Sequence, residues 1–385
     1  MSDPTKITTA SILTLQTFAM MLLLVCFPGA SLSAVAGTIE HVIVCKEAGR
    51  FAGWPGNNGI WSWGDEIVVG FVQGGFRRVE GQDHPIDPDQ PELTRFARSL
   101  DGGQTWTIEK ASFEDQNGVQ LPPVERTEPV DFSHPDFAMR LRMNNTPPGH
   151  SRIYYSHDRC KTWEGPYKLP LFGLPEVMAR TDYIVNGPHD ALAFVTAAKA
   201  NKDEGRVFCT RTTDGGRTWK WVSWIGPEPT GFAVMSSTVR LADSSLLTAL
   251  RRKEGTSHWI DTYRSRDDGK TWTLLGERVA DTGADEGNPA SLTRLRDGRL
   301  AMAYGVRAKP YGIRSRISTD QGNSWCEEIV LRDDAGDWDL GYPATVQRAD
   351  GRLVTLYYFN DGPNQPRYIG ATIWTPERGK SGGGE

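Results

Sequence analysis

Long apolar runs are scarce in this chain. Among its 385 residues there is one, Ile12 to Phe27, and its dense part, Phe18 to Phe27, falls short of the roughly 20 residues a membrane-spanning helix needs. Cysteine is scarce too. Five residues with no C-x-x-C pair and no His/Cys cluster give no support to a zinc site or a dense disulfide frame. Neither sign of charge dominates: 43 Lys+Arg against 48 Asp+Glu leave a formal net charge of −5, so nothing global attracts nucleic acid. Glycine (41), proline (24) and tryptophan (13) are plentiful. That mixture suits many short strands joined by turns rather than long helices. A hydrophobic content of 38% leaves ample material for a core and excludes a wholly disordered chain.

The apolar run sits in an N-terminal order of Lys6, the run itself, helix-breaking Pro28-Gly29, and small residues ending in Ala34-Val35-Ala36. This is the charged, apolar and small-residue order of a secretory signal cleaved after Ala36, with a membrane anchor as the alternative. The expectation is a signal over 1–36 and a secreted or periplasmic mature protein with no membrane attachment after cleavage. A Gly-rich flexible tail is expected at 376–385. Cys45, Cys160, Cys209 and Cys326 remain in the mature chain, and their spacing does not pair them.

Self-comparison gives the strongest signal. The pattern S/T-x-D-x-G-x-T/S-W occurs five times, around Asp101, Asp158, Asp214, Asp267 and Asp320, at intervals of 57, 56, 53 and 53 residues. A period near fifty in a turn-rich chain means a repeat architecture, and propeller blades fit best. In each copy the Asp carboxylate can accept backbone N–H groups across a hairpin, the Gly allows positive φ, and the Trp can fold over the turn. In the second copy Cys160 stands where the others have Gly, so that turn is expected to be distorted. A calcium loop is the other reading of D-x-G, but carboxylates at the further offsets are missing. The turns therefore read as structural.

First strands are expected near Arg50, His134, Arg180, Met235, Glu286 and Tyr342, giving six blades. The spare strand Thr38-to-Cys45 is expected to complete the sixth and close the ring. The expected fold is all-β: a six-bladed β-propeller of four-stranded antiparallel blades over residues 37–375. Antiparallel order puts first-strand starts and second-strand ends on one face and the Asp turns on the other. Arg50, His134/Asp136, Arg180/Asp182, Met235, Glu286/Asn288 and Tyr342 should then share a mouth with Asp83, His84, Asp87, Lys199, Arg251, Arg252, Arg307, Tyr358 and Asp361. A funnel rich in Arg, carboxylates and Tyr suits a polar, anionic ligand.

These features resemble the sialidase (neuraminidase) superfamily, six-bladed propellers with Asp-box repeats; the resemblance covers about residues 38 to 375. It implies an exo-acting glycoside hydrolase on sialylated or other acidic glycans, with no metal or cofactor. Three arginines would bind the substrate carboxylate, and by position Arg50, Arg251 and Arg307 look like them, with Arg314 as the alternative to Arg307. Tyr342 sits where the family places its nucleophile: a neutral phenol avoids the repulsion a carboxylate nucleophile would meet at an anomeric carbon bearing a carboxylate. A Glu would draw off the phenol proton and an Asp would protonate the leaving oxygen. Asp87, then Asp83, is the choice for the acid. The family's helper Glu belongs at the start of blade 4, where this chain reads Ala233-Val234-Met235, so Glu286 on blade 5 takes its place. Asp136 and Asp182 add funnel charge that the sialidase scheme does not require, and are expected to contact substrate. Two other readings remain open. One is a non-catalytic propeller binding glycan or protein. The other is a polysaccharide lyase or other glycosidase using His and Tyr as base and acid.

Overall fold

A computed structural model describes residues 39–81, 84–143, 150–199 and 205–376. Residues 1–36, where an export signal is expected, Asp83 and all but the first residue of the expected tail lie outside them. Six antiparallel sheets follow one another along the chain as the blades of a propeller. Blade 1 runs outward from an interrupted inner strand, Arg50–Gly53 and Ile60–Trp63, through Glu66–Gly75 and Leu93–Ser99 to Thr107–Lys110. Blade 3 repeats the plan with its own broken inner strand, Val177–Met178 and Tyr183–Gly187. Blade 4 starts at Phe232–Arg240 and blade 5 at Ala290–Arg294. Blade 6 has Gly341–Gln347, Leu353–Phe359 and Tyr368–Trp374, and its outer strand is Glu40–Cys45 from the other end of the chain. Because that outer strand is not joined by a hairpin, blade 6 has no place for an Asp turn.

Blade 2 departs from the expected plan. It has three strands, Ala138–Arg142, Arg152–Ser156 and Glu164–Lys168, and no inner strand begins near His134. Residues 131–137 instead run as turns on the Asp-box face, tied by Phe132 N–H to the Pro188 carbonyl at 2.7 Å and by Arg159 N–H to the Asp136 carbonyl at 3.1 Å. In place of a strand, Thr181 and Tyr183 of blade 3 cap the inner edge: Leu141 N–H donates to Thr181 Oγ1 and Met139 N–H to the Tyr183 hydroxyl, each at 3.2 Å.

The five Asp turns share one geometry. In the first, Asp101 Oδ1 accepts Gln104 N–H at 3.0 Å and Thr105 N–H at 2.9 Å, while Oδ2 accepts the Thr105 hydroxyl at 2.6 Å. The second turn is not distorted. Cys160 adopts φ 66° and keeps its N–H bond to Ser156 Oγ at 2.9 Å, as the glycines do elsewhere. Each box tryptophan packs in the apolar layer its blade shares with the preceding one: Trp106 between blades 6 and 1, Trp163 between 1 and 2, Trp219 between 2 and 3, Trp272 between 3 and 4, Trp325 between 4 and 5. The motif therefore fixes both a hairpin and a blade interface. Cys45, Cys160, Cys209 and Cys326 are all free thiols.

Candidate functional site

At the mouth, four inner strands or their approaches leave the regular pleat. Trp54 (φ 57°), Met235 (φ 54°), Glu286 (φ 69°) and Tyr342 (φ 48°) all take left-handed backbone. In blades 4 and 6 the strand register slips there, between Val234 and Ser237 and between Gly341 and Ala344. Such a bulge re-aims a side chain, and for a non-glycine residue it costs about 1–2 kcal/mol that surrounding packing must offset.

Met235, Glu286 and Tyr342 line one cavity of about 460 Å³, with His84, Arg180, Arg251, Asp285, Arg307 and Trp338. A groove of about 420 Å³ continues from it, sharing His84, Arg180 and Tyr342 and adding Trp54, Glu92 and Arg142. These volumes suit a sugar. Arg251 is buried, and its Nη1 donates to the Tyr342 hydroxyl at 3.2 Å. Its Nε and Nη2 hold the Glu286 carbonyl, Nε at 2.8 Å. Arg307, also buried, donates to the Asp285 carbonyl and the Tyr358 hydroxyl, both at 2.8 Å, and lies over the Trp338 ring. The left-handed Asp285-Glu286 turn thus presents carbonyls that orient two guanidiniums. Glu286 itself pairs with Lys253. Burial raises its pKa, but Lys253, Arg251 and nearby His258 outweigh burial and hold it below the usual range.

His84 has a different support. Its Nδ1 lies 2.7 Å from Asp339 Oδ1, which also accepts the Tyr358 hydroxyl at 2.6 Å; Asp339 Oδ2 accepts from Arg367 Nε at 2.9 Å. Burial pushes the Asp339 carboxyl up, yet His84, Arg367 and Arg307 together hold it well below its ordinary value. An ionised carboxylate can only accept, so Nδ1 carries the proton and Nε2 is the ring nitrogen available to a ligand. The ring is flanked by Trp54 at 5.1 Å and Trp338 at 6.1 Å.

Of the residues singled out in the sequence, Arg251, Arg307, Tyr342 and Glu286 come together here. Four do not. Arg50, at the edge of blade 1, donates to Gln90 at 3.4 Å and does not line the cavity; Arg180 lines it with Arg251 and Arg307. Asp87 is held by Asp89 N–H, Gln90 and Arg77, with Arg77 at 2.7 Å, away from the cavity. The Asp89 N–H first, then Arg77, lower its pKa, the reverse of what a proton donor needs. Asp136 lies on the Asp-box face, paired with Arg159 of the second box at 2.6 Å. Asp182 lies further along the central channel, in a separate cavity with Gly56, Ser236 and Pro343, and ties blade 3 to Thr238 of blade 4 by two 3.0 Å bonds. Arg314 faces elsewhere, paired with Glu328 at 3.2 Å. The sequence reading included Arg180 and His84 among mouth residues but gave neither a role. Arg180 lies in the break of the blade 3 inner strand, between Val177–Met178 and Tyr183–Gly187, and its place at a first-strand start was the signal for it.

Solved structures share this fold at low identity. A protein of unknown function from Dyadobacter fermentans superposes with a TM-score of 0.69 at 23% identity, over 88% of this chain and 99% of that one. A Hadza microbial sialidase gives 0.56 at 16%, over 85% and 66%, and an α-L-arabinanase of Penicillium chrysogenum 0.57 at 15%, over 87% and 98%. No curated protein matches the chain. The model of the BNR repeat-like domain matches residues 93–355, more than half of the sequence. With its five Asp turns and six blades, the chain belongs to the BNR repeat-like family of sialidase-fold propellers.

Proposed function

We propose that this protein is an exported glycoside hydrolase that removes a terminal acidic sugar, sialic acid or a close relative, with Tyr342 as nucleophile. The observation that carries the reading is the convergence of Arg180, Arg251 and Arg307, from three blades, on the cavity that Tyr342 lines. Guanidinium forks in a partly water-excluded pocket bind a planar carboxylate in a fixed orientation. The phenol oxygen, its proton passed to water, attacks the anomeric carbon as the glycosidic bond breaks; a second water then displaces the phenol, returning a proton to it and releasing the sugar. Arg251, donating to the phenol oxygen, sets its direction. The imidazolium form of His84, backed by Asp339, protonates the leaving oxygen through Nε2 in place of Asp87. Glu286 serves chiefly through its carbonyl, which orients Arg251. The test is turnover of a fluorogenic sialoside by the purified protein beside Arg251→Ala and Tyr342→Phe. Activity abolished by both substitutions supports the reading, and a folded wild type with no turnover overturns it for that sugar.

One observation favours a second reading. No carboxylate bonds the Tyr342 hydroxyl among the described residues, while an Asp-supported His lies in the same cavity. That pairing suits elimination from a uronic acid: His84 takes the proton beside the carboxylate and Tyr342 protonates the departing oxygen. The product then carries a new carbon–carbon double bond, whose ultraviolet absorbance on a uronate oligosaccharide separates this chemistry from hydrolysis.

A further inference from the structure

We propose that blade 2 carries a second oxyanion site, built from Arg140, Arg142 and Arg152, which takes the carboxylate or sulfate group of a second sugar in the substrate. The inference rests on the reading that the main cavity takes an acidic sugar, and extends it from one negative charge to two.

The site follows from how blade 2 is built. Arg140 and Arg142 alternate on one face of the strand Ala138–Arg142, and Arg142 stands directly opposite Arg152 on the next strand. That face looks onto a cavity of about 220 Å³ between blades 1 and 2, lined also by Glu92, Thr94 and Gln120. Arg142 is only 8% exposed. Its Nη1, the Nε and Nη1 of Arg140 and the Nε of Arg152 are buried with no hydrogen-bond partner among the described residues.

Two other buried arginines have two carboxylates each. Arg98 has Glu66 and Glu109, and Arg367 has Asp337 and Asp339. Here the match fails. Glu114 is taken by Thr94 N–H at 2.6 Å and by Arg95 at 3.6 Å, leaving Glu92 at the rim. Burial, and then repulsion from Arg140 and Arg180, bring the Arg142 pKa down to about 9, the response of a cation that lacks an anion. An oxyanion would meet guanidinium N–H groups, donors that carboxylate and sulfate oxygens accept.

Position ties this site to the first. Glu92, Arg142 and Met143 line both this cavity and the groove that holds Arg180 and Tyr342. That groove shares His84, Arg180 and Tyr342 with the main cavity. A sugar seated beside Tyr342 can therefore extend its neighbour toward blade 2, and Glu92 can accept one of that neighbour's hydroxyls. The substrate class is an oligosaccharide with anionic groups on both sides of the scissile bond.

The test is calorimetric titration of the full chain with glucuronate and, separately, with galactose 6-sulfate, which distinguishes the two sources of the oxyanion. Arg142→Gln, Arg152→Gln and Arg251→Ala are run alongside, with thermal melts as the folding control. The expected result is two classes of site in the wild type. Arg251→Ala should retain one class, and Arg142→Gln or Arg152→Gln should weaken that class at least tenfold. Wild-type-like binding by folded Arg142→Gln and Arg152→Gln overturns the proposal, as does loss of all oxyanion binding in Arg251→Ala. If Arg251→Ala changes nothing while the class sensitive to Arg142 persists, the main-cavity reading fails and the blade 2 site stands.

Discussion

Arg251 of blade 4 donates a hydrogen bond to the Tyr342 hydroxyl of blade 6 across 3.2 Å, over a mouth that blade 5 lies between. The bond links the regular second strand of blade 4 to the kinked first strand of blade 6 and sets the direction of the phenol. Arg251→Lys keeps a charge but loses the fork that holds Glu286 and Tyr342 together. A hydrogen bond to a charged group is worth about 1.5–3 kcal/mol, so kcat/KM on an acidic glycoside should fall roughly 10- to 100-fold. Steady-state kinetics would show it, and an unchanged value would remove Arg251 from the site.

Asp339 answers to folding as well as to the site. Its carboxylate meets Arg367, which is fully buried, as well as His84 and Tyr358. Asp339→Ala leaves that arginine with one carboxylate, Asp337, beside the Gly362 and Gln365 carbonyls. Removing one partner of a buried pair costs about 3–5 kcal/mol, to be read as a lower urea midpoint at constant slope.

The Asp182 carboxyl is pushed up to about 6 by burial, its bonds from Ser236 and Thr238 offsetting this only in part. A folded pKa above the unfolded one means that the native state binds the extra proton. Stability is then highest below pH 4 as far as this group is concerned, and declines as pH rises from about 4 to about 6. The decline is about 3 kcal/mol for a shift of this size. Asp182→Asn should flatten it, which denaturation at pH 4.5 and pH 7.5 would detect.

Asp101 titrates in the opposite sense. The Thr105 hydroxyl and N–H first, then Ser99 and Gln104, lower its pKa to about 2. Its contribution is present above the ordinary carboxyl range and is lost as pH falls toward 2. Asp101→Ala leaves the turn's N–H groups to water and, by analogy with capping residues, costs about 1–2 kcal/mol. Melting at neutral pH should show that loss, and the difference from wild type should narrow in acid.

The repeat was legible because each Asp turn is local: eight consecutive residues contain the carboxylate, the N–H groups it binds, the positive-φ position and the tryptophan. Even Cys160 in the glycine position leaves those bonds intact. Strand order and the closure of blade 6 by Glu40–Cys45 followed from counting strands. Blade 2 did not, because an edge capped by Thr181 and Tyr183 leaves no periodic pattern in its own segment.

The site divides in the same way. Arg251, Arg307 and Tyr342 could be placed because they sit at fixed distances from a repeated strand phrase, and the period carries them to the mouth. Asp87 and Asp136 lie in loops where the period gives no bearing, and their partners Arg77 and Arg159 hold them away from the cavity. By itself the sequence determined the turn chemistry, the number of blades and the face on which function would lie, all consequences of contacts a few residues apart. Tertiary structure alone decided which charges meet. His84 finds Asp339 across 255 positions and Arg251 finds Tyr342 across 91, pairings that exist only once the blades have closed into a ring.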